Sequence, residues 1–201
     1  NAKPYAFLDN APLEERRTQA VYLRRTTNAA DPGMGILDPL AIEKVRAEAW
    51  PHATNADELH EALLLTGALT ESEVRATAGG STEWLDLLVS ERRAFEITSA
   101  FWAATERLPM LRAVFGEPAP SRPLPRLDRE RSWERADAMR ELIRGRIEIC
   151  GPTTSTALSN LLNLPRAEIE AALLSLESEG FVLRGNFNPG APETEWCDRR
   201  L

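Results

Sequence analysis

Apolar residues recur along this chain at spacings of three and four, and short alternating runs interrupt that helical rhythm only twice. The stretch "DNAPLEERRTQAVYLRRTT" predicts a helix with Asn10 as N-cap, Pro12 in the first turn, Glu14 and Glu15 at its positive end, and Arg24 and Arg25 in its last turn. "LDPLAIEKVRAEAWP" repeats the device, with Asp38 as the cap, Pro39 at the first position and Pro51 as the stop. From residue 56, "ADELHEALLLTGALT" sets Leu59, Ala62 and Leu63 on one helical face and ends at Gly67. "TESEVRATAGG" then places Glu73 three residues after Thr70, the spacing of a capping box. "STEWLDLLVSERRAFEITSAFWAATERL" opens as a helix through Trp84, Leu85, Leu87 and Leu88, then breaks into two β-rich runs near residues 95–97 and 101–103.

The same order recurs after "EPAPSRPLPR", whose prolines forbid a helix interior and favour an extended spacer. An amphipathic helix over residues 133–148 carries Met139, Leu142, Ile143 and Ile147. "GPTTSTALSNLLNL" gives a second helix with Leu158, Leu161 and Leu162. "PRAEIEAALLSLESEG" gives a third, with Ile169, Ala172, Leu173 and Leu176 inward and Gly180 as its cap. The closing "GFVLRGNFNPGAPETEWCDRRL" reads as two strands around an Asn-Pro-Gly loop. Three helices followed by a hairpin is the order of a winged helix. The expected fold is therefore mainly α with short β-hairpins: a helical segment over 1–54, a first winged-helix-like unit over 55–116, a proline-rich linker over 117–127 and a second winged helix over 128–201. Laying "LLVSERRAF" (87–95) over "LLSLESEGF" (173–181) matches Phe95 with Phe181 and puts Trp102 and Trp196 in corresponding strands, which predicts an internal duplication.

Charge narrows the functional classes. The net charge is −7, and neither side of Leu127 is basic overall, which argues against an extended basic surface for nucleic acid. Lys3 and Lys44 are the only lysines, so positive charge is presented almost wholly as guanidinium. No apolar run approaches the roughly 18 residues that a membrane helix needs, so no membrane partner is expected. Cys150 and Cys197 form no CxxC pair; small buried thiols in a reducing cytoplasm are the expectation. The start at Asn1-Ala2, with no charged-then-apolar leader, reads as a piece of something longer.

Catalytic patterns do not emerge. The chain has no GxxxxGK[ST] loop to cradle nucleotide phosphates, so ATP turnover is not expected from this segment and no cofactor is assigned to it. His52 and His60 lack metal-ligand spacing with the cysteines and are expected in solvated or capping roles near helix starts. The tryptophans at 50, 84, 102, 133 and 196 are expected in core packing, with stacking on unpaired bases as the alternative.

The candidate contact surface is the last hairpin. Period two separates Phe181, Leu183 and Phe187, expected to face the core, from Val182, Arg184 and Asn186, expected to face outward. The preceding helix carries Glu168, Glu170, Glu177 and Glu179 against Arg166, a balance that repels phosphate and disfavours base reading by that helix. Nucleic-acid contact is thus assigned to Arg184, Asn186, the loop residue Asn188, and Arg199 with Arg200. A protein-docking or oligomerisation surface is the competing reading of the same acidic helix.

The segments "YAFLDNAPLEERRTQAVYLRR", "GILDPLAIEKVRAEAWP", "ADELHEALLLTGALT" and "EGFVLRGNFNPGAPETEWCDRRL" together resemble the Lhr, large helicase-related, family of bacterial ATP-dependent helicases. The "EWCDRRL" ending with its preceding wing is the most specific part. The resemblance places the chain just after the motor core, at the start of a C-terminal region built of winged helices. It implies a parent enzyme that uses ATP and a divalent metal such as Mg to move on single-stranded DNA and open tailed duplexes in DNA repair. The implied partners are that DNA, the motor core and the rest of the C-terminal region. None of the family's ATPase residues fall within this chain, so no catalytic position carries over. Some members' C-terminal regions are associated with DNA glycosylase activity, for which no acidic residue here sits in a recognisable motif.

Overall fold

Residues 37–97, 101–116 and 132–201 are described by a computed structural model. The expected helix over 10–25 and the proline-rich linker over 117–127 lie outside the described residues. Helix α1 (Pro39–Ala49) begins on its proline as the sequence predicts and buries Ile42. Helix α2 (Ala56–Thr66) starts where the Asn55 side chain accepts from the backbone N–H of Glu58 at 2.9 Å and stops at Gly67, whose φ of 81° suits glycine. A short strand β1 (Leu69–Thr70) leads into α3 (Glu71–Thr77). The predicted capping box is formed: Thr70 accepts from Glu73 N–H at 3.2 Å while Glu73 accepts from Thr70 N–H at 2.8 Å. Helix α4 (Glu83–Ser90) follows, then strands β2 (Ala94–Ile97) and β3 (Phe101–Ala104).

A 3-10 turn (Thr105–Arg107) and helix α5 (Leu108–Phe115) close this half. The second half repeats the order with α6 (Arg135–Cys150), β4 (Thr153–Thr154), α7 (Ser155–Leu162), α8 (Arg166–Ser178), β5 (Val182–Gly185) and β6 (Glu195–Asp198). Each half holds a three-stranded antiparallel sheet with its last strand in the middle, ordered β1-β3-β2 and β4-β6-β5. Helix, strand, two helices and a hairpin, taken twice, is the winged-helix arrangement, and the fold is mainly α with small β-hairpins.

Backbone details repeat as faithfully as the order. Thr154 caps α7 by accepting from Ala157 N–H at 3.0 Å, as Thr70 caps α3, and Gly151, three residues earlier, has the positive φ of Gly67. Trp102 lies opposite Leu69 and Glu96, while Trp196 lies opposite Thr153 and Arg184. The match of Trp102 with Trp196 therefore holds, but the match of Phe95 with Phe181 is off by two residues. Arg93 N–H bonds Leu88 O at 2.8 Å and Phe181 N–H bonds Leu176 O at 2.9 Å, so Phe181 corresponds to Arg93. Similar-looking Leu and Phe letters misled the alignment, whereas hydrogen-bond register is fixed by the sheet.

Residues 39–201 form one compact unit. Leu142, Ile143 and Ile147 of α6 share a continuous core with Ala68, Ile97, Phe101 and Leu111 of the first half and with Leu173, Leu176, Val182 and Trp196 of the second. Gly145 explains how α6 comes so near α2: a Cβ there would stand 2.3 Å from the backbone oxygen of Leu65. Arg146, beside it, is 2% exposed and meets Glu73 across this junction, also donating to Ala68 O at 3.2 Å. Glu73 thus serves both its own helix cap and a buried guanidinium from the other half.

Candidate nucleic-acid interface

The wing of the second half is built from Val182 to Asp198, and its facing departs from the simple alternation expected. Val182 is 1% exposed and packs in the core, while Leu183 is 48% exposed. Phe181 remains half-buried at the edge of the core, because the strand begins only at Val182 and Phe181 still belongs to the turn. In the sheet, Val182 and Arg184 share a face with Asp198 and Trp196, and Leu183 shares the other with Cys197. Trp196, 5% exposed, belongs to the same core as Leu173 and Leu176.

The five residues assigned to nucleic-acid contact fall into different environments. Arg184 is exposed, reaches Glu177 at 3.3 Å and lies 5.5 Å over the Trp196 ring. Asn186 is exposed. Asn188 is half-buried and turned inward: its backbone N–H donates to Glu195 Oε2 at 2.7 Å, and its side-chain amide donates to Glu195 Oε1. Phe187 N–H donates to the same carboxylate at 2.8 Å, so Glu195 is the bracket that holds the wing loop. Arg200 is clamped by Asp198 at 2.8 Å and Glu148 at 3.0 Å, and the hydrogen bond to Asp198 holds its guanidinium above the usual arginine range. Arg199 is exposed and makes no ion pair among the described residues.

Helix α8 is acidic as expected, yet its carboxylates are engaged. Glu168 meets Arg135 at 2.9 Å. Glu170 meets Arg166 at 2.7 Å and accepts from Ser155 at 3.0 Å, and these bonds, the arginine's first, hold its carboxyl below the usual range. Just past the helix, Glu179 meets Arg144. Exposed pairs of this kind contribute little stability, but they leave less free negative charge facing a phosphate than the letters alone imply. A groove of about 410 Å³ runs between α7, α8 and the wing, its lining including Arg166 and Arg184 together with the carboxylates of Glu170 and Glu193.

Two expectations about other residues are corrected or refined. His60 is buried in the middle of α2, with Nε2 3.2 Å from Glu106, and is neither solvated nor a cap. Its apolar neighbours Leu59 and Leu63 gave the helical face, but a face wide enough to take in residue 60 was not visible from spacing alone. Cys197 is buried and Cys150 half-buried; burial pushes each thiol up to about 11. No group of three or more His, Cys, Asp or Glu that could hold a metal occurs among the described residues, and no described helix is long and apolar enough to cross a membrane. The junction residues Gly145, Arg146 and Glu73 were missed, the only sequence signal being an arginine and a glycine on the apolar side of a helix.

Comparison with known proteins is consistent with this architecture. The family described as "Large helicase-related protein, winged-helix domain" matches residues 35–127, which cover the first half. Over 98% of its length the chain is 27% identical to a protein of Mycolicibacterium smegmatis (strain ATCC 700084 / mc(2)155) described as "Lhr helicase/ probable uracil glycosylase". The chain spans 14% of that relative's length.

Proposed function

We propose that the chain, which is similar to the Lhr, large helicase-related, family, serves an ATP-dependent DNA helicase as a non-catalytic pair of winged helices. In this reading it positions nucleic acid and couples the motor to the C-terminal region. ATP and Mg act in the parent's motor, in the cytoplasm and in the service of DNA repair; the sequence of this chain contains no phosphate-cradling loop. The observation that carries the reading is the junction between the halves. Two winged helices joined by a buried Arg146–Glu73 pair and by helix backbones in contact at Gly145 keep a fixed mutual geometry. A fixed geometry is what positioning and coupling both require.

In the full-length parent enzyme, Glu73→Ala should leave DNA-stimulated ATP hydrolysis in place and lower the amount of tailed duplex opened per ATP consumed. Unchanged unwinding in a variant whose junction has been loosened would refute the coupling role. For positioning, a mobility-shift measurement on tailed duplex at low salt should reveal weak binding by the 201-residue chain.

A specific observation favours a second reading. Leu174 on α8 and Leu183 on the wing are both 48% exposed beside carboxylates already held by arginines, a surface suited to a protein partner. Light scattering of the free chain beside the mobility shift separates the two: self-association without a shift supports docking.

A further inference from the structure

The two turns that lead from third helix to wing can be compared atom by atom. In the second half the turn residue is Gly180, with φ of 74°. Its counterpart in the first half is Arg92, with φ of 60°. The correspondence rests on the bonds on either side: Arg93 N–H to Leu88 O matches Phe181 N–H to Leu176 O, and Thr105 N–H to Arg93 O at 2.9 Å matches Arg199 N–H to Phe181 O at 3.0 Å. A left-handed backbone costs an L-residue roughly 1–2 kcal/mol that glycine does not bear. The first half nevertheless has arginine where the second has glycine.

Charge makes the same turns stand out. Among the described residues, Arg92 and Arg199 are the arginines without a carboxylate partner, Arg112 aside, which has a partner of its own. Both are exposed. Arg199 reaches the turn from the far end of its wing: its Nη1 lies 3.7 Å from where a Cβ on Gly180 would stand. Among the described residues, each half therefore places a guanidinium with no carboxylate partner at the same point of its fold, supplied by a different residue in each. In the first half the side chain grows from the strained turn itself. In the second, the turn residue has no side chain and the guanidinium is brought to it by Arg199, just past β6.

We propose that these two helix-to-wing turns each hold one phosphate of a DNA backbone, with Arg92 and Arg199 as the contacting groups. The proposal rests on the nucleic-acid reading above and moves its weight. Arg184 and Arg200, already neutralised by Glu177 and by Asp198 with Glu148, contribute less than Arg199, and Arg92 joins from the other half. Guanidinium suits a phosphodiester because it offers two N–H donors in the plane of two oxygens. Such contacts fix where the strand lies and carry no sequence preference.

The test uses the 201-residue chain and a tailed DNA duplex, with affinity followed across a salt series. Arg92→Gly, Arg199→Ala and the double variant are compared with Arg75→Ala, which removes an exposed arginine paired to Glu71. Each of the first two should flatten the logarithmic salt slope by about 0.7–0.9, the double variant by about twice that, and Arg75→Ala by little. Arg92→Gly should also raise the thermal midpoint, so its weaker binding cannot be put down to unfolding. If the double variant keeps the parent slope and affinity, or if Arg75→Ala loses as much as either turn variant, the turns are not the contacts, while the nucleic-acid reading stands. If the unaltered chain does not bind the duplex at low salt, both are overturned.

Discussion

The two winged helices share a backbone plan and differ in what they do with charge. In the first, the position facing the strand tryptophan is Glu96 and the tryptophan, Trp102, is half-buried; in the second it is Arg184, lying over a tryptophan that is 5% exposed. At the start of α3 a glutamate completes the cap and reaches across the junction, whereas the cap at the start of α7 is Thr154 alone, with Ala157 in the place of that glutamate. Helix α6 has core contacts on both of its sides, to the first half and to its own, so the second half is built around a helix that both halves own. Duplicated topology thus preserves caps, positive-φ turns and register, which the fold demands, and leaves side chains free to specialise.

The largest effect should come from the junction. Glu73→Ala leaves the Arg146 charge buried without its partner and undoes the capping box, and we expect a loss of about 3–5 kcal/mol in urea unfolding. The transition should stay single and cooperative. Two separated transitions would show that the halves are independent and that the comparison should be drawn between two domains.

Trp196→Ala should cost about 3–5 kcal/mol, as for other buried aromatic truncations, and Trp102→Ala distinctly less, because Trp102 is only half-buried. Equal losses from the two substitutions would erase the contrast between the tryptophans. The thiols sharpen it from another side. With folded values near 11 against an ordinary value of 9.0, Cys150 and Cys197 remain protonated in the native state where the unfolded chain has begun to ionise. Their contribution is fully present below about pH 9 and is lost as pH rises through 11, about 2–3 kcal/mol for each thiol. Replacing both with Ala should remove that alkaline slope, measured as urea midpoint against pH. Gly180→Ala comes last, with an expected cost of about 1 kcal/mol from its backbone conformation, since the nearest atom to the added Cβ is the mobile tip of Arg199.

Much of this architecture can be read from the letters. Thr70 with Glu73, Pro39, Gly67 and Gly180 are start and stop signals with a local mechanism, and each sits where that mechanism puts it. Tertiary relations are harder to read. Val182 and Leu183 are both apolar, and which faces inward depends on where the turn after α8 releases the strand, a matter of one residue. Arg146 looks like one more surface arginine until Glu73 is brought to it from 73 positions away. Of the assigned contact residues, Asn188 and Arg200 are tied to Glu195 and Asp198, pairings across and along the wing that spacing in the sequence does not reveal.

Gly145 sets how freely this protein can drift in sequence. With a backbone oxygen of Leu65 2.3 Å from any Cβ there, no side chain, however small, can be accepted without moving one helix off the other. A saturation library scored for folded yield should therefore be nearly blank at this position, in the middle of a helix where alanine is ordinarily the favoured letter. Two exposed glycines, Gly79 and Gly190, meet no atom within 4 Å of an added Cβ and should tolerate asparagine or aspartate. Lineages carrying this pair of winged helices would then vary widely at their loops while retaining a single invariant letter at the seam.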